Sequence, residues 1–319
     1  MSQDVIPNFI AGEWRVATAT ASLPVQDPAS GELLGRVPLS EAVDVARAVA
    51  AAVKAFPGWR ATTPVERVRV LFRLHGLLNE HHEELAQSLT REHGKVIAEA
   101  RAEIQRGIDS VEHACAIPTL MMGETLEDVA HGIDCETVRQ PLGVFAGITP
   151  YNFPVMIPMW FWPYAIATGN TFVLKPSEQN PLTHNRVMEL ARRAGLPAGV
   201  LNVVHGGRET VDAILTHPDI KGVSFVGSSH VASIIYTKGA AAGKRVQALG
   251  GAKNHAIILP DAGIDYTSDH LVAAAFGSAG ERCMAISAAV AVGGAADELI
   301  AAVSEKARAV KVGDRKSVV

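Results

Sequence analysis

Cysteine is scarce in this 319-residue chain, and charge is thin. Cys115, Cys135 and Cys283 form an odd, widely spaced set without C-x-x-C, so neither a disulfide framework nor a structural zinc site organises the fold. Charged residues make up 19%, against about 25% in an average chain. The formal net charge is −4, and no lysine or arginine stripe interleaves with the 5% of aromatic residues, which excludes the electrostatic footprint of a nucleic-acid binder. No apolar run has the length of a transmembrane helix. The start, MSQDVIPNFIAGEW, is acidic where a targeting peptide is basic, and no apolar core follows it. A reducing cytoplasm is the expected compartment.

What remains is apolar and patterned. At 48% hydrophobic the chain can bury a large core, and its length allows two domains. Ser40 to Phe56 repeats apolar residues at helical spacing behind Ser40 as N-cap, which predicts a surface helix. Thr63-Pro64-Val65-Glu66 has capping-box spacing with proline at the first helical position and opens a second helix. A third is expected from about Val96 to Ala116. The middle of the chain then changes period. GVFAGITP (Gly143 to Pro150) and NTFVLKP (Asn170 to Pro176) are continuous apolar runs flanking the segment Val155 to Ala167, and GVLNVVHG, RETVDAILTH and GVSFVGS repeat the pattern. This β-α-β grammar predicts an α/β fold with a parallel, doubly wound sheet. Glu124 to Pro141 is more polar and alternating, as a projecting hairpin would be. No internal repeat is present.

Five segments carry more than a fold. GITPYNFPVMIPMW, LKPSEQNP, FVGSS, QALGGAKNHA and FGSAGERCMAIS, in this order and at these separations, resemble the aldehyde dehydrogenase superfamily. Within it, ERCM around Cys283 and FPVMIPMWFWP resemble the CoA-acylating methylmalonate-semialdehyde dehydrogenases. The resemblance runs up to Lys311-Val312-Gly313-Asp314. It implies a Rossmann-type NAD-binding domain over residues 1–123 and 142–249, an oligomerisation hairpin over 124–141, and the first part of an α/β catalytic domain over 250–319. The family assembles as homo-tetramers and its catalytic domain continues well beyond VKVGD, so the ending RKSVV reads as a truncation or frameshift that would leave the hairpin without its partner strand.

The resemblance also implies a chemistry. A lone cysteine is usually a small core hydrophobe, but the neighbouring Arg282 favours the thiolate, the nucleophilic form. Cys283 would add to an aldehyde carbon, and after hydride transfer to NAD hold an acyl thioester. Asn152 would supply a side-chain N–H to the oxyanion beside the backbone N–H of Cys283. G-x-G-x-x-G is absent, so the cofactor would be held in the family's own way. Gly227 and Ser228 open a helix whose N-terminus suits a phosphate, Lys175 and Glu178 face the adenosine ribose, and Thr149, Pro150, Phe153, Leu249 and Gly250 complete the site. A carboxylate at Glu178 favours NAD over NADP. Ala232, where many relatives have glycine, is expected to crowd the pyrophosphate slightly.

Ala248 stands where hydrolytic relatives carry a glutamate that activates water, and alanine cannot act as a base. The thioester would then await a second thiol, which points to coenzyme A. Arg106 and Arg282 would hold the substrate carboxylate, with loss of carbon dioxide giving propionyl- or acetyl-CoA from methylmalonate or malonate semialdehyde. Two alternatives stay open at this point. One is a hydrolytic NAD-dependent enzyme with Glu281 as substitute base; the other is an inactive fragment that at most binds dinucleotide.

Overall fold

The computed structural model describes residues 5–314, so the expectations on the leading MSQD and the RKSVV tail lie outside the described residues. In chain order the first elements are β1 (Asn8–Ile10), β2 (Glu13–Arg15), β3 (Ser22–Gln26), β4 (Leu33–Pro38), α1 (Ala42–Ala61), α2 (Pro64–Glu80), α3 (His82–His93), α4 (Ile97–Ala114) and α5 (Ile117–Leu120). Next come β5 (Thr125–Ala130), β6 (Ile133–Glu136), β7 (Val144–Ile148), α6 (Met156–Met159), α7 (Trp162–Ala167), β8 (Thr171–Lys175), α8 (Leu182–Arg193), β9 (Leu201–Val203) and α9 (Arg208–Thr216). The last are β10 (Ile220–Val226), α10 (Ser229–Ala241), β11 (Arg245–Leu249), β12 (Asn254–Ile258), α11 (Ile264–Phe276), β13 (Ile286–Ala291) and α12 (Ala296–Ala309).

Apolar residues on both faces of the middle strands dictate a sheet covered on both sides. Phe172 and Leu174 of β8 enter a core with α2, α4, α7 and α8, while Val173 between them enters a second core with α1, α9 and α10. The seven-stranded sheet has the order β11-β10-β7-β8-β9-β1-β2. Its first five strands are parallel, as the β-α-β repeats require. β1 and β2 then add an antiparallel edge that the sequence pattern did not announce, because each is three residues long. From β7 the chain runs outward through β8 and β9, then returns to lay β10 and β11 on β7's other side. The switch point therefore lies between β7 and β10, where open α/β sheets hold ligands.

The Thr63 capping box forms as expected, with Glu66 N–H bonded to Thr63 Oγ1 and Glu66 Oε2 accepting from Thr63 N–H. Ser40 does not cap α1: its hydroxyl accepts from Asn8 Nδ2 at 3.0 Å, and Glu41 precedes the helix without a side-chain cap. Val155 to Ala167 is two short helices rather than one, because Pro158 and Pro163 each lack the N–H that a continuous helix needs. Thr125–Ala130 and Ile133–Glu136 pair antiparallel, and both strands are exposed throughout. After β11 a smaller lobe begins, with β12 parallel to β13 and a core of Ile258, Leu271 and Leu299. Among the described residues no helix is long and apolar enough to cross a membrane.

Three imidazoles are trapped inside this frame. Burial pushes His184 down to about 3, helped by His205. Burial, with Lys175, does the same to His205, whose Nε2 lies 3.2 Å from Asn185 Nδ2. His93 is likewise held near 3 by burial and Lys95. Against them, burial pushes Glu92 up to about 7 although it accepts the Leu182 and Thr183 N–H groups at the start of α8. Below an ordinary imidazole value of 6.5 the unfolded chain takes up protons at these histidines that the folded chain refuses, so their contribution, present above 6.5, is lost as pH falls toward 3. Glu92 works oppositely: its contribution is present below 4.5 and is lost as pH rises through about 7. Three groups outweigh one, each worth at most about 1.4 kcal/mol per pH unit. Melting curves should therefore show a lower Tm at pH 5 than at pH 7, and His184→Gln should reduce that loss. An unchanged or rising Tm on acidification would contradict this assignment.

Candidate active site

At the switch point, the carboxyl ends of β7, β8 and β10 and the first turns of α9 and α10 enclose a cleft of about 630 Å³. Thr149, Pro150, Lys175, Glu178, Gly227 and Ser228 all line it. Ser228 Oγ accepts the Val231 N–H and caps α10, which leaves the N–H of the first-turn residue His230 without an intrahelical acceptor at the cleft wall. Lys175 is buried, and its Nζ donates to Glu178 Oε2 at 2.8 Å. Burial pushes the Glu178 carboxyl up, but the charge and hydrogen bond of Lys175 more than offset this and hold it below its ordinary value. Gly227 has a steric role, since a Cβ there would meet the Phe225 ring at 2.4 Å.

Three of the expected cofactor residues lie elsewhere. Phe153 is in the core, its ring 4.4 Å beneath the Lys95 ammonium, and does not line the cleft. Leu249 and Gly250 sit beside α10, where Leu249 O accepts the Gly227 N–H and Gly251 N–H bonds to Ser229 Oγ. Ala232 does not crowd the cleft, because its methyl group is buried in the core beneath α10.

One turn further along the chain the loop of Cys283 comes into reach. After β7 the backbone is clamped at three points. Asn180 Nδ2 donates to Tyr151 O at 2.7 Å, Lys95 Nζ donates to Asn152 O at 3.0 Å, and Glu103 Oε1 accepts the Val155 and Met156 N–H groups at 3.0 and 3.2 Å. Lys95 and Glu103 are joined at 2.5 Å, both buried. The clamp presents Asn152, whose Nδ2 donates to Glu281 O at 2.7 Å, two residues before Cys283. An amide NH₂ has two donors, so one N–H remains. Asn254 Nδ2 supports the far side of the loop through Cys283 O at 2.8 Å. Among the described residues no acceptor lies on the Cys283 N–H. Cys283 is partly exposed, whereas Cys115 is buried, with its thiol pushed up to about 11 by burial, and Cys135 is exposed on the hairpin.

The two arginines part company. Arg106 is exposed on α4, whereas Arg282 is paired with Glu99 from the first turn of the same helix. The cation expected beside the thiol is thus engaged by a carboxylate. Glu281 faces Tyr151, whose hydroxyl is pushed up by burial and by the carboxylate that it hydrogen-bonds. Ala248 is half-buried at the end of β11 and packs against the sheet's core. Lys95, Glu99, Glu103 and Asn254 were invisible to sequence reasoning. The first three sit on or before an amphipathic helix where charges read as a solvated face, and only the fold turns them inward.

This constellation defines an α/β chain with a switch-point cleft next to a cysteine loop. Residues 14–318 match the aldehyde dehydrogenase family, and the chain belongs to it. Malonate-semialdehyde dehydrogenase 2 of Geobacillus thermodenitrificans (strain NG80-2) is 55% identical over 309 residues, which are 97% of this chain and 64% of that protein. The methylmalonate-semialdehyde dehydrogenase DddC of Oceanimonas doudoroffii superposes with a TM-score of 0.95 at 48% identity, covering 99% of this chain and 64% of that one. A Sinorhizobium meliloti 1021 protein complexed with NAD gives 0.95 at 48% identity, over 98% of this chain and 64% of that one. The chain therefore spans 64% of the length of these relatives.

The buried clamp is testable by itself. Lys95→Met strands the Glu103 charge and should cost about 3 kcal/mol in urea unfolding. Lys95→Met/Glu103→Gln should recover at least half of that, since the amide oxygen still accepts the two backbone N–H groups. Additive losses in the double variant would show that the two side chains act independently.

Proposed function

We propose that this chain carries the cofactor and nucleophile sites of an NAD-dependent semialdehyde dehydrogenase that passes its acyl group to coenzyme A. The observation that carries the reading is the bond from Asn152 Nδ2 to Glu281 O, which joins the turn at the cleft mouth to the loop of Cys283. The residues present suit the cofactor. The cleft lies at the switch point, its wall offers N–H groups at the start of α10, and Glu178 is a carboxylate able to accept from a ribose hydroxyl and repel a 2′-phosphate. NAD, when bound, supplies the hydride acceptor.

The chain's own residues do the rest. Cys283 Sγ adds to the aldehyde carbon, and the oxygen that becomes negative is met by the Cys283 N–H and the second N–H of Asn152. Loss of hydride leaves a thioester on Sγ. Ala248 offers no base to a water molecule, and the Glu281 carboxylate is turned to Tyr151, so the thioester persists until a second thiol displaces Cys283. Arg106, and Arg282 once released from Glu99, hold the substrate carboxylate, which favours malonate or methylmalonate semialdehyde. The similarity to malonate- and methylmalonate-semialdehyde dehydrogenases supports this substrate class. Decarboxylation then yields acetyl- or propionyl-CoA. Residues 124–141 form the arm for assembly with further copies in this reading, with the cofactor domain over 1–123 and 142–249.

A second reading, dinucleotide binding without turnover, is favoured by one observation: the smaller lobe leaves Ile257, Leu259 and Met284 exposed at 70%, 55% and 78%. Residues 1–319 should bind NAD by calorimetry and form NADH with malonate semialdehyde, continuously with CoA and in a single burst without it. Cys283→Ala should abolish NADH formation and keep NAD binding. Glu178→Gln should narrow the preference for NAD over NADP by about tenfold, the effect of losing one charged hydrogen bond. NAD binding without any NADH from a homogeneous preparation would select the second reading, and steady turnover without CoA would select a hydrolytic enzyme.

A further inference from the structure

The turn that leads into Cys283 is held in an unfavourable shape by one side chain. Ser278 and Ala279 adopt φ of 52° and 55°, the left-handed region that non-glycine residues rarely occupy. Both carboxylate oxygens of Glu99 accept the Ser278 N–H, at 2.9 and 3.1 Å. The same carboxylate takes the Arg282 guanidinium, which folds back over the turn so closely that a Cβ on Gly277 would lie 2.6 Å from Nη2. Glu99 itself opens onto a cavity of about 490 Å³ whose walls include Lys95, Ser278 and Glu281. Arg106 lies seven residues further along α4, two turns on and on the same helix face. One carboxylate thus occupies the guanidinium next to Cys283, beside a cavity that Glu99 itself lines, while Arg106 stands exposed two turns along the same helix.

We propose that Glu99 is an internal stand-in for the substrate carboxylate: it occupies Arg282 in the resting chain, and an incoming carboxylate must displace it. This rests on the reading that Arg282 receives a substrate carboxylate. Glu99 is then a positioning and specificity residue. It stores the guanidinium against the turn and keeps the turn in place. It also raises the threshold for anion binding, so that only a ligand with a well-placed carboxylate, able to engage Arg106 as well, wins the exchange. A neutral aldehyde gives Arg282 no reason to leave Glu99. Because Glu99 also holds Ser278, the exchange couples carboxylate recognition to the conformation of the loop carrying Cys283.

The test uses malonate dianion, which is unreactive, titrated calorimetrically into residues 1–319 and its variants. Glu99→Gln keeps an oxygen for the Ser278 N–H while removing the competing charge, and should bind malonate about tenfold more tightly than the parent, the scale of one charge-assisted hydrogen bond. Arg282→Gln should abolish the binding, and the neutral malonamide should bind none of the forms. Should Glu99→Gln lose its near-ultraviolet circular dichroism, Glu99→Asp shortens the arm by one methylene and should give a smaller gain in the same direction. Unchanged or weaker malonate binding in a folded Glu99 variant overturns the proposal and leaves Glu99 as support for the turn. Absence of malonate binding in every form, Glu99→Gln included, removes the carboxylate reading of Arg282 and this inference with it. NADH formation, measured on the same preparations, reports on the catalytic reading separately, because malonate affinity does not depend on turnover.

Discussion

The site depends on a buried ion pair. Lys95 and Glu103 have side chains 1% and 0% exposed, and two charges removed from water to that degree are sustained only when every remaining donor and acceptor is used. Here they are. Glu103 spends one oxygen on Lys95 and the other on the Val155 and Met156 N–H groups, while Lys95 divides its protons between Glu103 and Asn152 O and rests over the Phe153 ring. Burial lowers the Lys95 ammonium's hold on its proton, and the charge of Glu103 opposes that. An apolar pair could fill the same volume, but it could not hold three peptide groups of an irregular turn in one geometry. The pair exchanges stability for position.

That turn is where the two halves of the chemistry meet. Its first residues, Thr149 and Pro150, line the cleft, and Asn152, two positions on, touches the nucleophile loop. A parallel sheet makes this possible because all its carboxyl ends open at one edge, and the reversal of strand order between β7 and β10 parts the loops there. The cleft and the loop of Cys283 are consequently joined by a single clamped turn.

How much of this could be read beforehand follows from which interactions are local. The capping box at Thr63 and the β-α-β runs are encoded over a few residues each, and both appear as the pattern requires. Cleft residues were legible where a motif sits at a strand end, as with Lys175, Glu178, Gly227 and Ser228. The position of the Phe153 ring, in the core beneath the Lys95 ammonium, is not written in YNFP, because its partner lies 58 residues earlier in the chain. The pairing of Arg282 with Glu99 leaves no mark in the sequence, because the two are 183 residues apart. Glu99 and Glu103 share a helix whose charges carry no mark of direction. What the sequence withheld were long-range pairings between charged groups, which have no period.

The two lobes are built on unequal foundations. The larger has two extensive apolar cores, one on each face of the sheet, whereas the smaller is built around the small buried cluster of Ile258, Leu271 and Leu299. Apolar burial at about 25 cal/mol per Å² therefore stabilises the larger lobe far more than the smaller. The loop bearing Cys283 is located chiefly by polar anchors: Glu99 to Ser278 and Arg282, Asn152 to Glu281 O, and Asn254 to Cys283 O. Polar anchors are directional and exchangeable in a way that apolar packing is not, because a ligand carrying the right charge can take the place of either partner. The loop of Cys283 is thus held by contacts of the same chemical kind as those a bound carboxylate makes, unlike the apolar packing that fixes the larger lobe.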